Sequence, residues 1–217
     1  ESNGYTFLIV AMSSPTISSS SANDAAAGTG ARTVTVTGVN ASFVEISETA
    51  TLNGTTGVAL TGAFMSINKM EVVTAGSGGV NAGIVYVGTG SITAGKPAVV
   101  HGVMAVGRNI TTSAVYTVPS GKTFLAIDLQ FQSRSTTAGG HEVAIDRWVN
   151  AGLLKRAEVF CALNTGGHLL EKFSVPIKFE EKTQFYVTAL ASAGAGPLGC
   201  RLSGILITNG IDNMIFG

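Results

Sequence analysis

The sequence predicts an all-β protein, a jelly-roll-like antiparallel β-sandwich with an extended N-terminal arm. Short runs rich in Val, Ile, Phe and Thr recur along the chain, bounded by Gly, Asn, Ser or Pro, a pattern typical of strands joined by tight turns. The 217 residues include 28 glycines but only 5 prolines. No segment keeps the helical 3.6-residue apolar period over about ten residues, and 150–159 is the one short helix candidate.

Residues 1–31 are predicted to form the arm. The apolar run 7–12 is far shorter than the about 20 residues of a membrane-spanning helix, and no basic residue precedes it as in a signal peptide. The stretch 13–31 consists mostly of Ser, Ala, Gly and Thr without an apolar period. Because such a stretch buries too little apolar area to offset its backbone entropy, we expect contacts with a neighbouring subunit to order it.

A sandwich domain is predicted over 32–217. Valines and threonines alternate at 33–37 as in a half-buried strand, 43–49 alternates again, and Asn53-Gly54 suits a tight turn. The absence of a βαβ rhythm favours a two-layer sandwich or jelly roll over a closed barrel. A subdivision near 108 stays open, since Gly and Ala dominate before it and most aromatic and charged residues follow it. The remaining strands are predicted at 63–74, 83–87, 98–106, 114–118, 123–132, 142–149, 156–163, 169–179, 184–190 and 199–207.

The charge of the chain is low and balanced. Lys and Arg total 13, Asp and Glu total 13, and charged residues make up 12% of the sequence. A zero net charge removes the main driving force for sequence-independent nucleic-acid binding. A surface this poor in charge predicts that part of it is covered by partners.

Two segments imitate phosphate-binding loops, and both are interpreted as turns. Residues 90–96 have the glycine spacing and the lysine, but Pro97 replaces the required hydroxyl residue and no helix follows. Gly121-Lys122-Thr123 matches the end of the motif, but Tyr116 stands where its first glycine belongs.

No catalytic residue, cofactor or metal site is predicted. His101, His141 and His168 are too far apart in sequence to form a local ligand pair, and no serine lies in a Gly-x-Ser-x-Gly elbow. Glu45 and Glu48 are three residues apart on an alternating strand, so they face opposite sides and cannot flank one substrate bond; solvated or turn-capping roles are predicted instead.

The cysteines and the aromatic residues of the second half are assigned to the core. Cys161 and Cys200 lack the paired spacing of a zinc site and are expected to be reduced and at least partly buried. Trp148, Phe160 and Tyr186 could form a sugar-stacking platform, but core packing is favoured.

Several segments carry a resemblance to a known family. SSANDAAAGTGARTV at 20–34 and EISETATLNGTT at 45–56, extended by INKM at 67–70 and TAGSGGVNAGI at 74–84, resemble segments of virion structural proteins of tailed bacteriophages. YTVPSGKT at 116–123 resembles a strand-start motif of phage β-sandwich modules, with Ser120 in place of the usual Ala. The resemblance covers about residues 19–133.

The resemblance implies a non-enzymatic structural component of a virion. The role it favours is a jelly-roll-like capsid decoration or cement protein that stabilises the particle by burying surface between subunits. The implied partners are other virion proteins, either the major capsid protein or neck and tail proteins, and further copies of the chain, a trimer by analogy. Neither nucleic acid nor membrane is among them. The alternative is a receptor-binding or carbohydrate-binding β-sandwich module of a phage fibre or tail.

Overall fold

The chain is all-β, as the sequence predicts. A computed structural model describes residues 11–133, 141–149, 155–163, 167–191 and 198–210. These residues form 14 strands, paired antiparallel in four sheets, and no helix. Consequently none of them belongs to a helix that could cross a membrane. The short helix candidate at 150–159 is wrong over its described part, because 155–159 lie in a strand.

The strands divide into two compact units, with the boundary between Ser113 and Ala114. Each unit contains one four-stranded and one three-stranded sheet, with a cluster of apolar side chains between them. The sandwich is therefore built twice along the chain rather than once over 32–217. The boundary lies a few residues beyond the subdivision near 108 that the sequence leaves open.

The N-terminal unit pairs its strands in the orders β4-β1-β6-β7 and β3-β2-β5. The alternation at 33–37 works as predicted: Val34 and Val36 are buried, while the threonines lie on the other face. There Thr35 shares a hydrogen bond with the Thr49 hydroxyl across the sheet at 2.7 Å. The seven strands are β1 (Thr16–Ser19), β2 (Ala31–Asn40), β3 (Glu45–Thr51), β4 (Val58–Ala59), β5 (Phe64–Ala75), β6 (Val85–Thr93) and β7 (Lys96–Met104).

The arm predicted over 1–31 is wrong for its described part, residues 11–31. Strand β1 lies inside the four-stranded sheet, between β4 and β6, and Ile17 on it is fully buried. Met12, the last residue of the apolar run 7–12, also belongs to the core, and its backbone N–H donates to the Phe64 carbonyl. Residues 1–10 lie outside the described part.

Buried polar groups explain why this Ser/Ala/Gly stretch is ordered within its own unit. The Asp24 carboxylate is fully buried and accepts four hydrogen bonds at 2.6–2.8 Å. Oδ1 accepts from the backbone N–H groups of Ala31 and Ala82, and Oδ2 accepts from the Ser19 hydroxyl and the Gly83 N–H. These bonds supply the stabilisation that the stretch lacks in apolar area.

The C-terminal unit pairs its strands in the orders β11-β10-β13-β8 and β12-β9-β14. Its core combines Ile145 and Phe185 of the first sheet with Leu129, Phe131 and Phe179 of the second. The Phe179 and Phe185 rings lie 4.3 Å apart between their centroids. The seven strands are β8 (Val115–Thr117), β9 (Lys122–Ser133), β10 (His141–Val149), β11 (Lys155–Leu163), β12 (His168–Phe179), β13 (Thr183–Ala191) and β14 (Leu198–Thr208).

The connections of the C-terminal unit follow a jelly roll. Every consecutive pair of its strands crosses from one sheet to the other, except the hairpin β10–β11. This is the order of the last seven of the eight strands of a jelly roll, whose first strand pairs with the last one. Among the described residues β14 pairs only with β9, so it is an edge strand.

Candidate functional site

The first phosphate-loop imitation is a hairpin turn, as predicted. Thr93 pairs with Lys96 at the end of β6–β7, and the two residues between them have positive φ angles, 49° at Ala94 and 81° at Gly95. The Ser18 hydroxyl donates to the Gly95 carbonyl at 2.9 Å. The segment thus closes a hairpin and does not begin a helix that could hold a phosphate.

The second segment that resembles a phosphate-binding loop, at Gly121-Lys122-Thr123, is also a turn. The Glu181 carboxylate binds to it. Gly121 has a φ of 75°, and its N–H donates to Oε2 of Glu181 at 2.6 Å. The Ser120 hydroxyl donates to the same oxygen at 3.2 Å. The Gly121 N–H lowers the pKa of Glu181, with further contributions from Ser120 and the nearby Lys182 charge. A phosphate would have to displace this carboxylate.

The predicted solvated or turn-capping roles of Glu45 and Glu48 are confirmed. Glu45 is exposed. The Glu48 carboxylate accepts hydrogen bonds from the N–H groups of Thr61 and Gly62 at 2.8–3.0 Å. It therefore fastens β3 to the turn before β5.

The histidines do not form a site among the described side chains. The His101 ring lies 3.4 Å from the Thr89 hydroxyl on the neighbouring strand, and His168 is exposed at the start of β12. His141 begins β10, and its side chain lies outside the described part. Where side chains are described, no three His, Cys, Asp or Glu residues lie close enough to bind a metal together.

The expectation that Cys200 is partly buried is wrong. Its register places it beside buried Phe131, on the face of Leu202, as the alternation predicts. It is exposed nonetheless, because β14 is an edge strand and sequence alternation does not reveal edges. Cys161 lies in β11, and its side chain is outside the described part.

Of the residues considered for a sugar-stacking platform, Tyr186 is buried and cannot stack on a ligand from solvent. The side chains of Trp148 and Phe160 lie outside the described part.

The sheet β12-β9-β14 instead exposes two kinds of surface. The first is apolar: four large side chains on this sheet are 38–73% exposed. Single exposed apolar residues are common, but a group on one small sheet is typical of an interaction surface. We call this group the apolar patch: Ile127, Leu170, Val175 and Ile205. Leu206, also 38% exposed, directly follows Ile205 on β14 and therefore faces the opposite side of the sheet.

The second surface is a polar pocket of about 220 Å³ on the same sheet. Gln132 pairs with His168 on one side and with Gly199 on the other, and Gln130 pairs with Arg201 in the next row of the same face. All five residues line the pocket, as do Phe131 and Cys200. Gly199 contributes no side chain, which leaves space between the two glutamines and Arg201.

Arg201 supplies the one permanent charge of the polar pocket, and Asp128 lies in the next row of the same face, two residues before Gln130 on β9. Arg201 forms no ion pair with Asp128 or with another described side chain. The side chains of Gln130, Gln132, His168 and Arg201 make no hydrogen bond or ion pair with other described residues. Their donors and acceptors are thus available to a ligand. Sequence reasoning missed this pocket because it requires the pairing of three distant strands.

Comparisons of the chain with protein-family models, with curated proteins and with solved structures found no match.

Proposed function

We propose that the chain is a non-enzymatic structural component of a bacteriophage virion, a capsid decoration or cement protein that stabilises the particle by burying surface between subunits. The observation that carries the proposal is the apolar patch. It lies on an antiparallel sheet, in a chain with only 12% charged residues. The sequence resemblance described above supports the same role.

The apolar patch suits a permanent contact with another protein. Ile205 is 53% exposed and Val175 is 73% exposed, so a partner could remove much apolar area from water. At about 25 cal/mol per Å², covering such side chains contributes several kcal/mol to association. The partners we propose are the major capsid protein, or neck and tail proteins, and further copies of the chain in a homo-oligomer, a trimer by analogy. The chain would then reside in the virion.

The test is incorporation into particles. Purified full-length chain is mixed with empty capsids of the phage that encodes it, and binding is measured by co-sedimentation. We expect the double variant Ile205→Ser/Val175→Ser to lose binding, because it removes apolar area from the patch. The matched control is Val73→Ser, which changes a side chain of similar exposure, 57%, in the N-terminal unit and should bind as before. A wild-type chain that stays in the supernatant, or a double variant that binds normally, contradicts the proposal.

The second candidate function, a receptor-binding or carbohydrate-binding module of a fibre or tail, is favoured by one observation, the polar pocket. Amide, imidazole and guanidinium groups are suitable partners for sugar hydroxyls and carboxylates. Binding to a glycan array would support this candidate, and binding to capsids without binding to glycans would count against it.

A further inference from the structure

We propose that the polar pocket binds one sugar residue that carries a carboxylate, such as a uronic acid at the end of an acidic glycan. The inference deepens the second candidate function and does not depend on the virion role. A chain that decorates capsids can lack this activity, and a chain that binds the sugar acid need not bind capsids.

The charge of the pocket favours an anionic ligand. Arg201 presents a permanently charged planar fork that matches a carboxylate in two parallel hydrogen bonds. Among the described side chains no acidic group pairs with it. The carboxylate of Asp128 lies in the next row of the same face but does not form an ion pair with Arg201, so the guanidinium keeps its donors for a ligand.

The neutral polar groups of the pocket favour a ligand with hydroxyl groups. Gln130 and Gln132 each offer an N–H donor and a carbonyl acceptor, and sugar hydroxyls can satisfy both. Both glutamines lie on the central strand β9, on the same face as Arg201 and His168. Leu170 does not line the pocket, but it pairs with Gln130 on the same face and is 43% exposed, so it offers apolar surface beside the pocket for the C–H groups of a sugar ring.

The size of the pocket favours one ring. Its volume of about 220 Å³ is below the about 300–1,000 Å³ of typical ligand pockets, so it suits a terminal sugar residue better than a buried oligosaccharide.

A phosphate fits the pocket less well than a carboxylate. Phosphate sites usually combine several charges with free backbone N–H groups. Here Arg201 is the one permanent charge among the lining residues, and β9 is hydrogen-bonded to a strand on each side.

The experiment compares two matched probes with the full-length chain. Methyl β-D-glucuronide carries the carboxylate, and methyl β-D-glucoside has the same ring with a neutral hydroxymethyl group. Binding is followed by NMR titration, with acetate and inorganic phosphate as further probes. We expect the glucuronide to bind at least about 10-fold more tightly than the glucoside, which corresponds to about 1.4 kcal/mol, and more tightly than acetate or phosphate.

Three variants localise the binding. Arg201→Gln removes the charge and should weaken glucuronide binding at least about 10-fold, because a bidentate ion pair is lost. Gly199→Val should abolish it by filling the pocket; a Cβ at position 199 meets only the Gln132 carbonyl oxygen, at 3.8 Å, so the strand accepts it. Arg108→Gln removes an exposed arginine of the N-terminal unit and should change nothing. Melting temperatures of all variants verify folding.

Four results would overturn the inference. These are no detectable glucuronide binding, equal loss in Arg201→Gln and Arg108→Gln, equal or tighter binding of acetate or phosphate, and equal binding of the glucoside. The last result alone would leave the second candidate function, neutral sugar binding, intact.

Discussion

Asn81 and Asn109 form reciprocal hydrogen bonds between the side chain of one and the backbone of the other. The side-chain oxygen of each accepts a hydrogen bond from the backbone N–H of the other, and both distances are 3.0 Å. The Asn81 amide also donates to the carbonyls of Gly83 and Ala105, at 2.7 and 2.9 Å, and the residue is fully buried. This pair therefore joins the segment before β6 to the segment after β7.

A double-mutant cycle should reveal the coupling of this pair. We expect Asn81→Ala to cost about 2–3 kcal/mol, because it leaves buried polar groups without partners. Asn109 has a φ of 58°, so Asn109→Gly removes the side chain without backbone strain and should cost about 1 kcal/mol. Both changes remove the same mutual bonds. In denaturant unfolding, the double variant should therefore lose about 1 kcal/mol less free energy of unfolding than the two single variants lose when their losses are added. Strict additivity would show that the two bonds are independent.

The Asp24 carboxylate should be essential for the N-terminal unit. Asp24→Asn replaces an acceptor oxygen with an amide that cannot accept the hydrogen bonds of Ala31 and Ala82, or of Ser19 and Gly83. We expect a loss of about 2–4 kcal/mol in the free energy of unfolding, measured by urea denaturation. Glu45→Gln, a change of the same kind at an exposed position, should be nearly neutral. Equal stability of the two variants would contradict the role of this carboxylate.

Two glycines allow steric exclusion to be separated from backbone strain. Gly95 and Gly107 have similar φ angles, 81° and 71°, but a Cβ at Gly95 would lie 1.9 Å from the Ser19 carbonyl oxygen, whereas one at Gly107 meets nothing within 4 Å. Gly107→Ala should cost only the strain of a left-handed residue, about 1–2 kcal/mol. Gly95→Ala should cost about 1–3 kcal/mol more, because β1 must move. Similar melting temperatures for both variants would argue against this close contact.

The Glu181 carboxylate should make stability depend on acid pH. Its pKa is lowered in the folded chain, chiefly by the Gly121 N–H. A carboxyl group with a lowered folded pKa stabilises the protein above its unfolded pKa, about 4.3, and this contribution disappears as the pH falls through the folded pKa. Wild type should therefore exceed Glu181→Gln in melting temperature at pH 7, and the difference should shrink below about pH 4. A difference that does not vary with pH would refute the assignment.

Removal of residues 1–31 should unfold the N-terminal unit. The deletion takes away β1, with buried Ile17, from the middle of a sheet, and it also removes the buried Asp24 that follows the strand. Circular dichroism and NMR should show the loss of native signals. Ile17→Ala provides a milder version, with an expected cost of about 2–5 kcal/mol. A truncated chain that keeps its full native spectrum would restore the interpretation of this segment as an arm.

The alternation of apolar and polar residues along the sequence was sufficient to predict most strands, but not which strands pair with each other. Val34 and Val36 identify β2 because a half-buried strand imposes a period of two. The same rule misses β1, a four-residue strand with three hydroxyl residues, whose order depends on an aspartate outside the strand. It also places β6 at 83–87 instead of Val85–Thr93, because glycines interrupt the pattern at 88 and 90.

The candidate site could not be predicted for the same reason. Gln132, His168 and Gly199 are adjacent only because β9 lies between β12 and β14. Each of these residues is unremarkable in its own segment, and local patterns contain no information about which strands pair. The exposure of Cys200 likewise follows from the position of β14 at an edge.

The central position of β1 also determines when the N-terminal unit can be completed during protein synthesis. The Thr16 hydroxyl binds the Gly88 carbonyl, 72 residues further along the chain. At about 5–20 residues per second, a ribosome needs about 4–14 s to synthesise that interval. Strands β2 and β3 can pair much earlier, whereas β1 can pair only with the two-residue strand β4 until β6 has been synthesised. We therefore expect Ile17 to be accessible to chaperones and proteases during this interval, and slow translation before residue 85 to lengthen that exposure.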